Sequence, residues 1–366
     1  MSFIKGFLHL CGLPWLVLRS NLGSKKIYFA TAMRKQAEVL SYIAGDDLAW
    51  RPWFSPKFAI GKKQWYAGVL ISLYKVFYRL CPRDKVIFIQ CGYSSHDRLG
   101  FDPVEMGFKT QFIENDLIGF GVRENRSIIG YLYDTKAPYY DGRTATDLEQ
   151  MLNDYVSGSW RNDVAEVEFV NTFKHSTMHK YSKFNAVADI ELNSSDVLIM
   201  GQVTGDASWL QSSCSVEDNV DLVRRAVEDF PDARAIYYKA HPRNSLNPKE
   251  VKVIAERFPR VKFVDPKLNF KTLIKMTPRV VVNTSGTGLD AGLAGCEVHA
   301  YGTSFYAGWG AAVDHHTVPS RRQNKLTFED IFVVTNLYYT RHFKRHDNSA
   351  VQTSEIVEEI TRHQQA

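Results

Sequence analysis

Four polar and glycine-rich islands hold the residue types that could do chemistry in this chain. Gln202-Val203-Thr204-Gly205-Asp206 sets an amide and a carboxylate four residues apart. Lys239-Ala240-His241-Pro242 supplies an ammonium and an imidazole. Asn283-Thr284-Ser285-Gly286-Thr287-Gly288 supplies hydroxyls between glycines, and Tyr301 to Gly310 packs four aromatics among three glycines. The first three islands each follow an apolar, β-rich run, where an open α/β sheet binds its ligands.

Each island has a chemical and a structural reading. A carboxylate at Asp206 could act as nucleophile or base, or could simply cap a helix. His241 could donate to a phosphate oxygen, or be an ordinary loop histidine before a proline that ends the strand. Ser285 to Gly288 open a helix, whose unpaired N–H groups attract anions, although Ser and Thr are also common caps. This is no Walker loop, because no Gly-Lys-Ser/Thr follows. Tyr301, Phe305, Tyr306 and Trp309 offer flat faces for a base or sugar. Glu114-Asn115-Asp116 follows Phe112-Ile113 and is either a carboxylate aimed across a cleft or a solvated loop. Tyr139-Tyr140-Asp141-Gly142 reads as a turn. No His, Cys or acidic cluster has metal-ligand spacing.

These residues need strands and helices to position them. Short apolar strands are expected near 25–30, 85–90, 109–113 and 127–133, with helices at 33–43 and 146–155. A helical connector over 163–187 leads to a cleaner series. Strands at 196–200, 235–238, 261–264, 279–283 and 297–301 alternate with helices at 216–230, 248–257, 270–276 and 286–294. That alternation implies parallel, doubly wound sheets. The expected architecture is two Rossmann-type domains facing a cleft, at 1–190 and 191–345, with a C-terminal helix at 346–366.

The 366 residues carry a net charge of +5 and are 45% hydrophobic. That length suits about two domains with sizeable cores. The charge suits an anionic small molecule or an acidic membrane surface and does not argue for nucleic acid. Five cysteines without close pairing read as buried free thiols of a reducing, cytoplasmic compartment. No run is apolar enough to predict a transmembrane helix. Phe3 to Leu18 lacks a cleavage site, so no signal peptide is expected. Trp65 to Leu80 is either an amphipathic core helix or a peripheral contact with an anionic membrane.

Together the islands resemble the retaining β-Kdo transferases of bacterial capsule and O-antigen assembly. The family's Gly-Gln-Val-x-x-Asp-Ala-Ser segment is similar to Gly201 to Ser208. Its Lys-x-His-Pro motif matches Lys239 to Pro242, and its Thr-Ser-x-x-Gly-hydrophobic-Glu-Ala motif matches Thr284 to Ala291 with Asp290 in place of Glu. Its Tyr-Gly-x-x-Phe-Tyr-Ala-Gly-Trp-Gly signature stands whole from Tyr301 to Gly310. In the first half, Tyr139-Tyr140-Asp141 and Leu148-Glu149 resemble a further segment more faintly. Glu114-Asn115-Asp116 stands where the family has Glu-Asp-Gly, which leaves the second carboxylate open.

The resemblance implies a GT-B-like fold, a CMP-Kdo donor, a glycan or glycolipid acceptor, and chemistry without cofactor or metal. It implies Asp206 as nucleophile, Glu114 as acid/base and Gln202 as the residue that orients Asp206 or the donor. Lys239, His241, Pro242, Thr284, Ser285, Gly286, Thr287, Gly288, Tyr301, Phe305, Tyr306 and Trp309 would form the donor site. Two other readings stand beside it: a transferase for a different CMP-activated nonulosonate, and a non-catalytic glycan-binding or export-associated protein.

Overall fold

Apolar, β-branched runs become central strands where both of their faces can be covered. In the computed structural model, the described residues are 2–30, 37–50, 67–95, 102–120, 126–176, 178, 190, 192–203, 205–242, 248–276 and 278–364. Their strands build two six-stranded sheets. The chain runs through β1 (Ile27–Ala30), β2 (Leu48–Trp50), β3 (Val86–Cys91), β4 (Lys109–Asn115) and β5 (Ile128–Asp134) in its first half. It continues through β6 (Val197–Met200), β7 (Ile236–Lys239), β8 (Val261–Val264), β9 (Arg279–Val282), β10 (Val298–Ala300) and β11 (Val313–Asp314), and ends with β12 (Thr340–Lys344).

The second sheet has the order β8-β7-β6-β9-β10-β11, and every pair in it is parallel. The strand order changes direction between β6 and β9, which opens a crevice beyond their carboxyl ends. Both strands stop just before a polar island. The first sheet has the order β2-β1-β3-β4-β5-β12. Strands β1 to β4 are parallel, whereas β5 runs antiparallel to β4.

The end of the chain departs from the expected boundary at residue 345. Strand β12 leaves the second half and pairs antiparallel with β5, from Thr340 opposite Leu132 to Lys344 opposite Ile128. Without it β5 would be an exposed edge. Phe343 then packs fully buried with Ile129 and Tyr131. The last helix, Thr353–Gln364, lies on the helix Val164–His175, and its Glu359 accepts a 2.7 Å hydrogen bond from Ser127 Oγ. The connector expected over 163–187 is described only in its first part. Its helix begins where Asp163 accepts from the N–H groups of Ala165 and Glu166 and ends at His175, and most of the remainder lies outside the described residues.

One apolar cluster crosses between the halves. Phe332 stacks on Phe169 and Phe173, with ring centroids 5.0 and 4.7 Å apart. The same cluster reaches Leu198, Val280 and Val282 under the second sheet. A separate cluster joins the helices Ser2–Leu22 and Ala67–Arg79 to the first sheet through Leu13, Leu16, Tyr74, Tyr78, Phe29 and Phe88. The five cysteines are free, but Cys11 is exposed rather than buried.

His342 on β12 lies edge-on to Phe120, and its Nε2 has no hydrogen-bond partner among the described residues. Burial lowers its pKa to about 4. Between pH 4 and 6.5 the unfolded chain therefore binds more protons at this residue than the folded one. Stability should rise with pH through that window, by about 3 kcal/mol from this residue if the shift is fully expressed. Urea unfolding of wild type and His342→Leu at pH 5 and pH 7 measures it. The variant should show the shallower pH dependence.

Candidate active site

A cavity lies at the crevice beyond β6, β7 and β9, with roughly 140 Å³ of room for water-sized spheres. Gln202, Asp206, Lys239, His241, Pro242, Thr284, Ser285, Gly286, Thr287 and Phe305 all line it. Residues as far apart as Gln202 and Phe305 converge there because parallel strands end on one side of their sheet.

Gln202 organises the mouth of β6. Its main chain exchanges two hydrogen bonds with the Asn219 side chain, at 3.0 and 2.9 Å. Its side-chain Nε2 reaches Ser208 Oγ at 2.7 Å, Thr284 Oγ1 at 2.8 Å and Asp206 Oδ2 at 3.3 Å. Its Oε1 accepts from the Thr284 N–H at 3.2 Å. The amide thus ties the loop after β6 to the loop after β9. Asp206 begins the short helix Ala207–Leu210, yet its carboxylate makes no capping hydrogen bond. Gly205 just before it sits at φ +73°, left-handed backbone that glycine adopts freely. That turn brings the carboxylate to Gln202 and to the cavity.

Lys239 ends β7 with its side chain buried. Its Nζ donates to the Pro266 carbonyl at 2.6 Å. Desolvation lowers its pKa to about 8, against the opposing pull of Asp265. Part of its donor capacity is therefore spent on the protein. Beyond β9, Ser285 Oγ and Thr287 Oγ1 lie 2.8 Å apart. They sit at the start of the helix Thr287–Leu293, whose N-cap is Gly286, and Ser285 Oγ accepts from the Thr287 N–H at 3.4 Å.

Four expected donor residues do not line the cavity. Tyr301, Tyr306 and Trp309 are fully buried. The Tyr301 hydroxyl donates to Asp229. Tyr306 donates to the Ser285 carbonyl at 2.6 Å, and Trp309 Nε1 to the Phe305 carbonyl at 2.9 Å. A side chain at Gly288 would collide with the Tyr306 ring. These residues hold the loops from behind, and of the signature's aromatics Phe305 reaches the cavity.

Other lining residues carried weaker signals. Tyr139 and Tyr140, read as a turn, belong to the first half's wall with Leu117, Ile118 and Phe173. The Tyr139 ring meets Phe305 edge-on at 5.3 Å. Asp141 beside them is buried and accepts from the N–H groups of Arg143 and Thr144, as well as from the Tyr93 hydroxyl. Asp290 also lines the cavity, and desolvation raises its pKa to about 6 although the Lys271 ammonium opposes this. Glu114 belongs to β4 itself and is not on the cavity wall. Its carboxylate and the Tyr140 hydroxyl both reach the space that a Cβ at Gly92 would fill, and of the two residues Tyr140 lines the cavity.

A buried ion cluster fastens these walls. Glu149, from the helix Asp147–Asp154, accepts from Arg321 and from Arg322 Nε at 2.8 Å. Arg322 Nη1 also donates to the carbonyls of Ser304 and Ala307, at 2.6 and 2.5 Å. Arg321 Nη2 donates to the Gly142 carbonyl at 2.8 Å.

The capsule polysaccharide biosynthesis protein family matches residues 132–343 of this chain. The chain belongs to that family. The matched residues hold the cavity lining other than Leu117 and Ile118, together with the ion cluster. Among curated relatives, the capsule polysaccharide modification protein LipA of Neisseria meningitidis is 26% identical over 243 residues, 63% of this chain and 32% of LipA. The lipopolysaccharide-processing protein LpsZ of Rhizobium meliloti is 26% identical over 222 residues, 57% of this chain and 48% of LpsZ. The chain thus spans about a third of LipA and about half of LpsZ. In fold, the family member described here is similar to two β-Kdo transferase structures of Thermosulfurimonas dismutans KpsC. The 2,4 transferase aligns with TM-score 0.65 and 17% identity over 91% of this chain and 97% of its own. The 2,7 transferase aligns with TM-score 0.62 and 19% identity over 93% and 99%. The architecture is GT-B-like, with two Rossmann-type sheets on either side of a cleft.

Glu149→Ala should leave the buried Arg322 guanidinium unpaired, at a cost of about 3–5 kcal/mol. Urea unfolding at neutral pH would register the loss as a lower midpoint with an unchanged slope.

Proposed function

We propose that this chain is a glycosyltransferase that moves Kdo from CMP-Kdo to a bacterial surface glycan or glycolipid, with retention of configuration. One observation carries the reading. A candidate nucleophile, Asp206, shares a cavity with His241 and the hydroxyls of Ser285 and Thr287, polar groups suited to a phosphate. Membership of the capsule family and the shared fold of the KpsC domains support it.

In this mechanism Asp206 attacks the anomeric carbon of Kdo. The bond from that carbon to the phosphate oxygen breaks, and CMP leaves with the electron pair. An acceptor hydroxyl then displaces Asp206 and loses its proton to the base. Two inversions give retention, as in retaining glycosidases. His241, Ser285 and Thr287 offset the charge on the departing phosphate. The hydrogen bond from Gln202 would hold the Asp206 carboxylate ready for attack. Glu114 is the proposed base, acting through Tyr140, whose hydroxyl it adjoins.

Asp206→Asn should abolish Kdo transfer while CMP still binds. Intact-protein mass spectrometry after donor addition should show a Kdo adduct on the wild type and none on the variant. Normal turnover by Asp206→Asn would rule out the nucleophile. His241→Ala and Ser285→Ala should each weaken CMP binding by roughly 1–3 kcal/mol in a calorimetric titration, the range for a lost hydrogen bond to a charged group. Transfer should also survive exhaustive chelation with EDTA. A loss that magnesium or manganese restores would contradict the assignment of phosphate stabilisation to these side chains.

A further inference from the structure

The helices Ser2–Leu22 and Ala67–Arg79 are apolar on two opposite faces. Their inner faces carry Leu13, Leu16, Tyr74 and Tyr78 into the core of the first sheet. Their outer faces carry a second set. Trp15, Leu18 and Leu22 recur on one helix, and Val69, Leu73 and Val76 recur on the other, with Leu80 one turn further on. All seven are between 40% and 78% exposed. Spacings of three and four residues keep each set on a single stripe. The two helices pack against each other. Paired exposed stripes of this kind mark an interaction surface rather than scattered surface residues.

We propose that this outer face rests on an anionic lipid surface. Charge selects that occupant. No Asp or Glu occurs between residues 1 and 37 or between residues 48 and 83, whereas Arg19, Lys75 and Arg79 lie on the two helices. An apolar stripe beside cations is the pattern of a helix lying in the headgroup region. The Arg19 guanidinium lies 5.5 Å from the centre of the Trp15 ring. An indole and a guanidinium on apolar stems suit the boundary between acyl chains and headgroups. Among the described residues no helix is long and apolar enough to cross a membrane, so the contact lies along the surface. The surface stands on the helices alone. It rests on the proposed function only in placing that reaction's glycolipid acceptor beside the enzyme.

Vesicle flotation at low salt tests the proposal with the full chain. The chain should float with vesicles of equal parts phosphatidylglycerol and phosphatidylcholine, and far less with phosphatidylcholine alone. Arg19→Glu with Arg79→Glu should lower the partition coefficient by at least about tenfold, since cations near an anionic surface add to its attraction. Leu18→Asn with Leu73→Asn and Val76→Asn should abolish flotation while circular dichroism stays unchanged. If that triple variant does not fold, the exposed charge-reversal pair still decides. A chain that stays at the bottom with anionic vesicles overturns the proposal. So does flotation that neither set of substitutions alters. A dimer seen by sedimentation and dispersed by the triple variant, with no flotation, would instead assign the face to a second copy. CMP-Kdo turnover measured in parallel separates the two claims. An active chain that does not float loses only the membrane surface, and a floating chain that consumes no donor loses only the transferase reading.

Discussion

The carboxylate of Glu149 can stay buried only because two guanidiniums reach it, and both come from the other half of the chain. A buried charge without a partner costs several kcal/mol, so the pair resists separation once formed. Its consequences spread outward. Arg322 holds the carbonyls of Ser304 and Ala307, which flank Phe305. Arg321 holds the carbonyl of Gly142, just after the Tyr139-Tyr140 wall. The two walls of the cavity are thus fixed to one ionic centre. The stack of Phe332 on Phe169 and Phe173 adds an apolar fastening across the same boundary.

Within that frame the catalytic candidates are placed by hydrogen bonds rather than by apolar contacts. Gln202 joins the loops beyond β6 and β9, which leave the sheet on either side of its change of direction. A buried amide network of this kind specifies one arrangement, because each unmade bond leaves a desolvated group behind. Desolvation also tunes the site. It draws the Lys239 ammonium down toward neutral pH and pushes the Asp290 carboxyl up toward it. Shifts of this kind cluster at functional sites.

The first half follows a different physical logic. Its sheet is mixed rather than parallel, and its last strand comes from the end of the chain. The helices that cover it on one side remain apolar on their solvent face. A core needs only the inner stripe, so the outer stripe is the part of this half that packing does not explain.

The sequence by itself determined the alternation of strand and helix after residue 195, since fully buried parallel strands must be short apolar runs. It also determined that Gln202, Asp206, His241 and Ser285 share one side of a sheet, because parallel strands end together. The resemblance to β-Kdo transferases named the fold from the same residues. Only the tertiary structure decided which members of the Tyr301–Gly310 signature face the cavity. Aromatic residues serve equally as ligand platforms and as core, and here burial assigns Tyr301, Tyr306 and Trp309 to the core. Nor could local pattern show β12 returning to the first sheet. Strand pairing across some two hundred residues depends on the unpaired edge of β5, which exists only once that sheet has formed. The ion cluster at Glu149 was hidden for the same reason: a charge looks solvated in sequence until the fold removes its water.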